Sequence, residues 1–148
     1  MKDLTTGSER NLNLEQTGVT SVTFSPNGKL FAAATFGRGL TRLWDATTFQ
    51  EVATLRGFLL GTASVAFSPE GKHLAVGGNG TEAVKLWDLE SRQELLTLEG
   101  QGSIFYRTAF SPDGNVLGSM NANGLLQMWR APPWAEIETA EHAEAKAQ

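Results

Sequence analysis

A block of about forty-three residues occurs three times in this chain, and a period of that length constrains the fold more than any single residue does. One landmark is a Phe that closes an apolar run: Phe24, Phe67 and Phe110, spaced 43 and 43. The other is a Trp about twenty residues later: Trp44, Trp87 and Trp129, spaced 43 and 42. Each Phe leads into Ser-Pro-x-Gly, where Pro presets the backbone for a turn and Gly supplies the positive φ the turn needs. In the second copy, Ser64–Phe67 is an apolar run and Leu74–Gly78 a strand of small residues. Val84–Trp87 then alternates, and Gln93–Leu98 is a fourth strand. Four short strands with a turn between each make one antiparallel unit. The repeated Phe and Trp residues, Phe24, Trp44, Phe67, Trp87, Phe110 and Trp129, are its expected core.

The copies read TSVTFSPNGKLFAAA…TRLWD, ASVAFSPEGKHLAVG…VKLWD and RTAFSPDGNVLGSM…LQMWR. Two carry a Trp-Asp pair outright (Trp44-Asp45, Trp87-Asp88), while the third ends Trp129-Arg130. These segments resemble WD40 repeats of a bacterial type. The resemblance implies an all-β chain of β-propeller blades, three four-stranded antiparallel blades, and a short helix at the C-terminus. It divides the sequence into a leader at 1–7, blades over 8–130 and a tail at 131–148. Within the blades an outer strand occupies 8–15, followed by units at 19–56, 62–99 and 105–130. It says less about function, which belongs to sites and not to folds.

Propellers close with typically four to eight blades. Three leave two raw lateral faces, and exposed apolar faces mark association sites. The third unit lacks an outer strand, because Ala131-Pro132-Pro133 breaks the pattern. An unmatched one stands at Asn11-Leu12-Asn13-Leu14: Leu12 precedes Phe24 by the same twelve residues that separate Leu55 from Phe67 and Leu98 from Phe110. By resemblance to the strand that fastens WD40 rings, Leu12 and Leu14 are the expected clasp, completing the third blade of another chain. The expectation is head-to-tail homo-oligomerisation with strand exchange, as a dimer of six blades in preference to a trimer of nine. Two alternatives stay open: a C-terminal fragment of a larger WD40 signalling protein, and a purely structural self-assembling module. In the tail, Trp134–Glu141 is Ala- and Glu-rich after Pro-Pro, with acidic residues in its first turns, which predicts a short helix.

Many WD40 blades share a buried His–Asp–Ser–Trp network, and by that resemblance it is eroded here. The Gly-His position reads Leu14-Glu15, Gly57-Phe58 and Gly100-Gln101. The Ser persists as Ser21 and Ser64 but becomes Arg107, and the Asp position reads Gly37, Gly80 and Asn123. The expectation is blades held mainly by apolar packing.

The loops at one rim are the usual partner surface of such folds. Here they carry Phe36, Arg38, Leu59, Leu60, Phe105, Tyr106 and Arg107, types that suit an interface with a protein or peptide. Structurally, Phe58 would fill the space of the lost His, and Leu59 or Leu60 would tuck between blades. Net charge is −4 and the basic residues are scattered, so nucleic acid is disfavoured. With no cysteine and two distant histidines, no metal site or cofactor is expected. His73 and His142 have no nucleophile at a known spacing, and the Gly-rich segments match neither phosphate-binding fingerprint. The chain reads as a non-catalytic scaffold. Met1–Ser8 has no apolar signal region and no stretch is long enough to span a bilayer, giving a cytoplasmic expectation with no membrane partner.

Overall fold

The computed structural model describes residues 5–9, 12 and 18–131. Their first blade is β1 (Val19–Phe24), β2 (Leu30–Thr35), β3 (Leu40–Asp45) and β4 (Glu51–Arg56). The second is β5 (Ser64–Phe67), β6 (His73–Gly77), β7 (Glu82–Asp88) and β8 (Glu94–Glu99). The third is β9 (Phe105–Phe110), β10 (Val116–Asn121) and β11 (Leu126–Arg130). Strands pair in chain order within each sheet, all antiparallel, and the third sheet has three strands. The helix expected in the tail, Leu14, and most of the outer strand expected at 8–15 lie outside the described residues. Leu12 is exposed and in no described strand.

The repeated turns fold for repeated local reasons. In each Ser-Pro-x-Gly, the Gly N–H donates to the Ser carbonyl at 2.9 Å, at Gly28, Gly71 and Gly114. All three glycines have positive φ, between 69° and 75°. The Ser hydroxyl oxygen then accepts an N–H five residues on, from Leu30, His73 or Val116. After the Trp, Asp45 Oδ1 accepts the N–H groups of Thr47 and Thr48 at 2.9 and 2.7 Å. Asp88 Oδ1 likewise accepts the Ser91 N–H at 2.6 Å and its hydroxyl at 2.7 Å. These bonds hold both carboxyls below the ordinary aspartate range. They also stabilise turns that put Phe49 and Arg92 at φ of 61° and 59°, unusual for side chains of that size.

Second strands are crowded on both sides. Ala32, Ala34, Leu74 and Ala75 are fully buried, which is why this position carries small residues. The first interface joins Ala32, Ala34, Leu43 and Leu55 to Phe67, Leu74, Val76 and Trp87 in one cluster. The second joins Ala75, Val84, Leu86 and Leu98 to Phe105, Phe110, Leu117 and Trp129. Burying one such side chain contributes about 1.5–3 kcal/mol.

Phe24 departs from its expected core role and is 61 % exposed. Its equivalents Phe67 and Phe110 pack on a preceding blade, and Phe24 has none among the described residues. The same face carries exposed Val22 and a cluster of Phe31, Ala33 and Trp44, the Phe31 and Trp44 rings stacked at 5.1 Å and 14°. At the far end Leu126 and Met128 are 61 % and 63 % exposed. They stand where Val84 and Leu86 meet the next blade.

Apolar packing is not the whole of what joins the blades. Ser64 Oγ donates to the Phe105 carbonyl at 2.7 Å and lies 2.7 Å from Thr108 Oγ1. Thr108 Oγ1 is 2.9 Å from Ser119 Oγ, which donates to the Arg107 carbonyl at 3.1 Å. All three hydroxyl residues are buried. Between the first two blades, Thr62 Oγ1 donates to the Thr35 and Leu40 carbonyls, both at 3.0 Å. A hydroxyl chain spans the second interface where the polar network of the resemblance is lost.

Candidate interaction rim

One rim is built by the turns after second strands and by the linkers between blades. The turn at 36–39 and the linker at 57–61 are clamped backbone to backbone by two glycines. A Cβ on Gly39 (φ +61°) would lie 2.0 Å from the Phe58 carbonyl oxygen, and one on Gly61 (φ +106°) 2.1 Å from that of Phe36. No side chain larger than hydrogen fits either position. The clamp fixes Phe58 inward, its ring lying where a Cβ on Gly78 would come within 2.0 Å of it. Lys85 Nζ stands 5.4 Å from the centre of that ring. It is held by Glu94 at 3.0 and 3.1 Å, by the Thr97 hydroxyl at 3.0 Å and by Glu82 at 3.4 Å. Burial works to raise the Glu94 carboxyl, but the Thr97 hydroxyl and the Lys85 ammonium outweigh it and hold it below the ordinary range.

With Phe58 anchored, the next two residues are thrown outward, and neither Leu tucks between blades. Leu59 is 96 % exposed and Leu60 64 %. They form one wall of an open depression of about 370 Å³ whose other wall is Asn79, Gly80, Thr81 and Glu82. Across the clamp stand Phe36 and Arg38, both exposed. The fold therefore brings Phe36, Arg38, Leu59 and Leu60 to one end of the first interface.

The remaining expected rim residues belong elsewhere. Phe105 is fully buried and offers nothing to a partner. Its ring fills the space over Gly100, where a Cβ would come within 2.6 Å, and its carbonyl receives Ser64. Tyr106 and Arg107 are exposed on β9, an inner strand, and not on a rim loop. Arg107 takes the repeat position of Ser64, so it points toward the side where a fourth blade would stand. At the opposite rim, His73 Nδ1 is 2.7 Å from Glu70 Oε1 across the turn joining β5 to β6. Among the described residues no group of three or more His, Cys, Asp or Glu is placed to hold a metal. No helix there is long and apolar enough to cross a membrane. Thr62, Thr108 and Ser119 had no signal in the sequence beyond being small and polar in apolar strands.

The sequence model of the WD domain, G-beta repeat family (WD40) matches residues 6–45 and 49–88, more than half of the 148-residue chain. No curated protein matches it. The first two copies are thus matched by sequence, and the third shares their turn hydrogen bonds and strand register. The chain belongs to the WD40-repeat family.

Proposed function

We propose that this chain is a non-catalytic scaffold that assembles through its raw blade faces and presents the Leu59–Leu60 rim to a protein or peptide. WD40 repeats are in general protein-interaction modules, which supports the class. The observation that carries the rim is that two leucines are held in solvent by a buried, glycine-clamped Phe58. An apolar loop with no structural use for its side chains suits a docking surface. Assembly rests on the two ends. Val22 and Phe24 at one end and Leu126 and Met128 at the other present apolar faces of opposite sense, which invites head-to-tail packing. Two chains give six blades and three give nine, and the dimer costs less association entropy.

Strand exchange through Leu12 and Leu14 is a second reading, favoured over simple apposition by the outer edge of β11, unpaired among the described residues.

Sedimentation velocity on the unaltered chain, on Val22→Asp/Phe24→Asp and on Leu59→Asp/Leu60→Asp tests the proposal. The face variant is expected to lose the assembly and the rim variant to keep it. Loss of the assembly in the rim variant would assign the rim to self-contact and leave a purely structural module.

A further inference from the structure

The two internal junctions show which positions the raw ends would bring together. Directly opposed residues of neighbouring strands share a face of the sheet. On its trailing face, toward the following blade, the first blade presents Ala32 opposite Leu43, and the second presents Ala75 opposite Leu86. On its leading face, toward the preceding blade, the second presents Phe67 opposite Leu74, and the third Phe110 opposite Leu117. Ala32 and Leu74 lie in one core cluster, Ala75 and Leu117 in the next, so each internal junction sets an Ala against a Leu. At its outer end the second junction stays open, with an apolar cleft of about 310 Å³ between Leu96, Leu98 and Trp129. The close contacts therefore lie toward the inner strands.

The raw ends break this pattern in opposite senses. On the trailing face of the third blade, Gly118 stands where the other blades have Ala32 and Ala75, opposite Met128. On the leading face of the first blade, Phe31 stands where the others have Leu74 and Leu117, opposite Phe24. One end has lost a methyl and the other has gained a ring. The next row shifts the other way: Met120 replaces Ala34 and Gly77, while Ala33 replaces Val76 and Ser119. That these rows meet is shown by Ser64 and Thr108, neighbours of Gly77 and Ser119 in the ladders, whose hydroxyls lie 2.7 Å apart. Nothing within the chain asks for Gly at 118. Its φ is not positive, and a Cβ there would meet Leu126 at 3.9 Å and the Ala109 carbonyl at 4.0 Å, both ordinary contacts. Gly in a strand interior weakens the strand and often marks a place where another surface comes close. The leading face is raised to match. Phe31 is buried and stacked on Trp44, and Phe24 rides on it with ring centres 5.6 Å apart, standing out into solvent.

We propose that the occupant of both raw faces is a second copy of this chain. Phe24 of one copy, propped on Phe31, seats in the hollow over Gly118 of its neighbour, and the neighbour's Met120 lies over Val22 and Ala33. This fit presupposes the assembly proposed above and singles out a copy of this chain from any other blade, because each end is altered where the other end is altered to receive it.

Gly118→Ala restores the residue of the internal blades, and the third blade has room for it. The far-UV circular dichroism and the thermal melt of the dilute monomer are expected to be unchanged or improved. Association, followed by sedimentation velocity over a concentration series, is expected to weaken about tenfold or more, because the added methyl overpacks the hollow. Gly118→Ala/Phe31→Leu reproduces the Ala–Leu pair of the internal junctions and is expected to recover most of that loss. Association of Gly118→Ala as tight as that of the unaltered chain would overturn the pairing while leaving the assembly standing, as would a loss that Phe31→Leu does not relieve. An unaltered chain that never associates would overturn the assembly as well and leave both faces to the blades of another protein.

Discussion

Replacing Ser64 by Ala removes one oxygen from the middle of the second interface and isolates the hydroxyl chain from apolar packing. Ser64 is 2 % exposed, so water does not replace the lost group. The Phe105 carbonyl loses a donor at 2.7 Å and the Thr108 hydroxyl a neighbour at 2.7 Å. Removing a buried partner in this way costs about 1–3 kcal/mol. With about 2 kcal/mol as the working value, a domain of this size loses about 4–8 °C in Tm. The control is built into the repeat. Ser21 holds the same position one period earlier, is half-buried, and its hydroxyl makes no hydrogen bond among the described residues. Ser21→Ala is expected to stay within about 0.5 kcal/mol of the unaltered protein. The assay is urea unfolding of both variants at one protein concentration, because self-association shifts apparent stability. A Ser64→Ala change as small as that of Ser21→Ala would show that the hydroxyl chain contributes nothing and that packing alone joins the blades.

Three further outcomes follow from other contacts. Gly78→Ala places a Cβ 2.0 Å from the Phe58 ring, so it is expected to cost about 1–3 kcal/mol in a thermal melt. Trp87→Ala is expected to cost about 3–5 kcal/mol and Trp129→Ala less, since Trp87 is 7 % exposed and Trp129 borders the open cleft; equal denaturant midpoints would contradict this. The Glu94 carboxyl is held below the ordinary glutamate pKa of about 4.5, so its stabilising contacts are fully present above that pH and fade as acid protonates it in the folded state. Acid titration of the unaltered chain is expected to show a loss of stability below about pH 4.5 that Glu94→Gln diminishes.

Periodicity made the blades, their turns and the raw faces legible, because Phe, Trp, Pro and Gly are distinctive and recur in fixed register. Of the buried hydroxyls only Ser64 was legible, as the Ser of the network the resemblance implies. Thr62, Thr108 and Ser119 stand at positions that network does not use, and a Ser or Thr there carries no mark of whether its oxygen finds a partner. Phe105 looked like a rim anchor because it follows a loop and precedes Tyr106 and Arg107. Gly100, whose missing Cβ leaves room for the ring, lies five residues away, but nothing in the sequence says that the ring turns back onto it. Phe24 looked like core because its equivalents are, yet burial depends on the neighbouring blade and not on the residue. In the tail, Ala and Glu favour a helix by propensity.

Sedimentation equilibrium of the intact chain over a wide concentration range tests the ring most directly. A chain of 15.9 kDa with two raw apolar faces is predicted to form a discrete closed oligomer, the six-bladed dimer of twice that mass. A stable monomer of 15.9 kDa at every concentration would contradict the account, because the apolar faces around Phe24 and Met128, 61 % and 63 % exposed, would then stay in water.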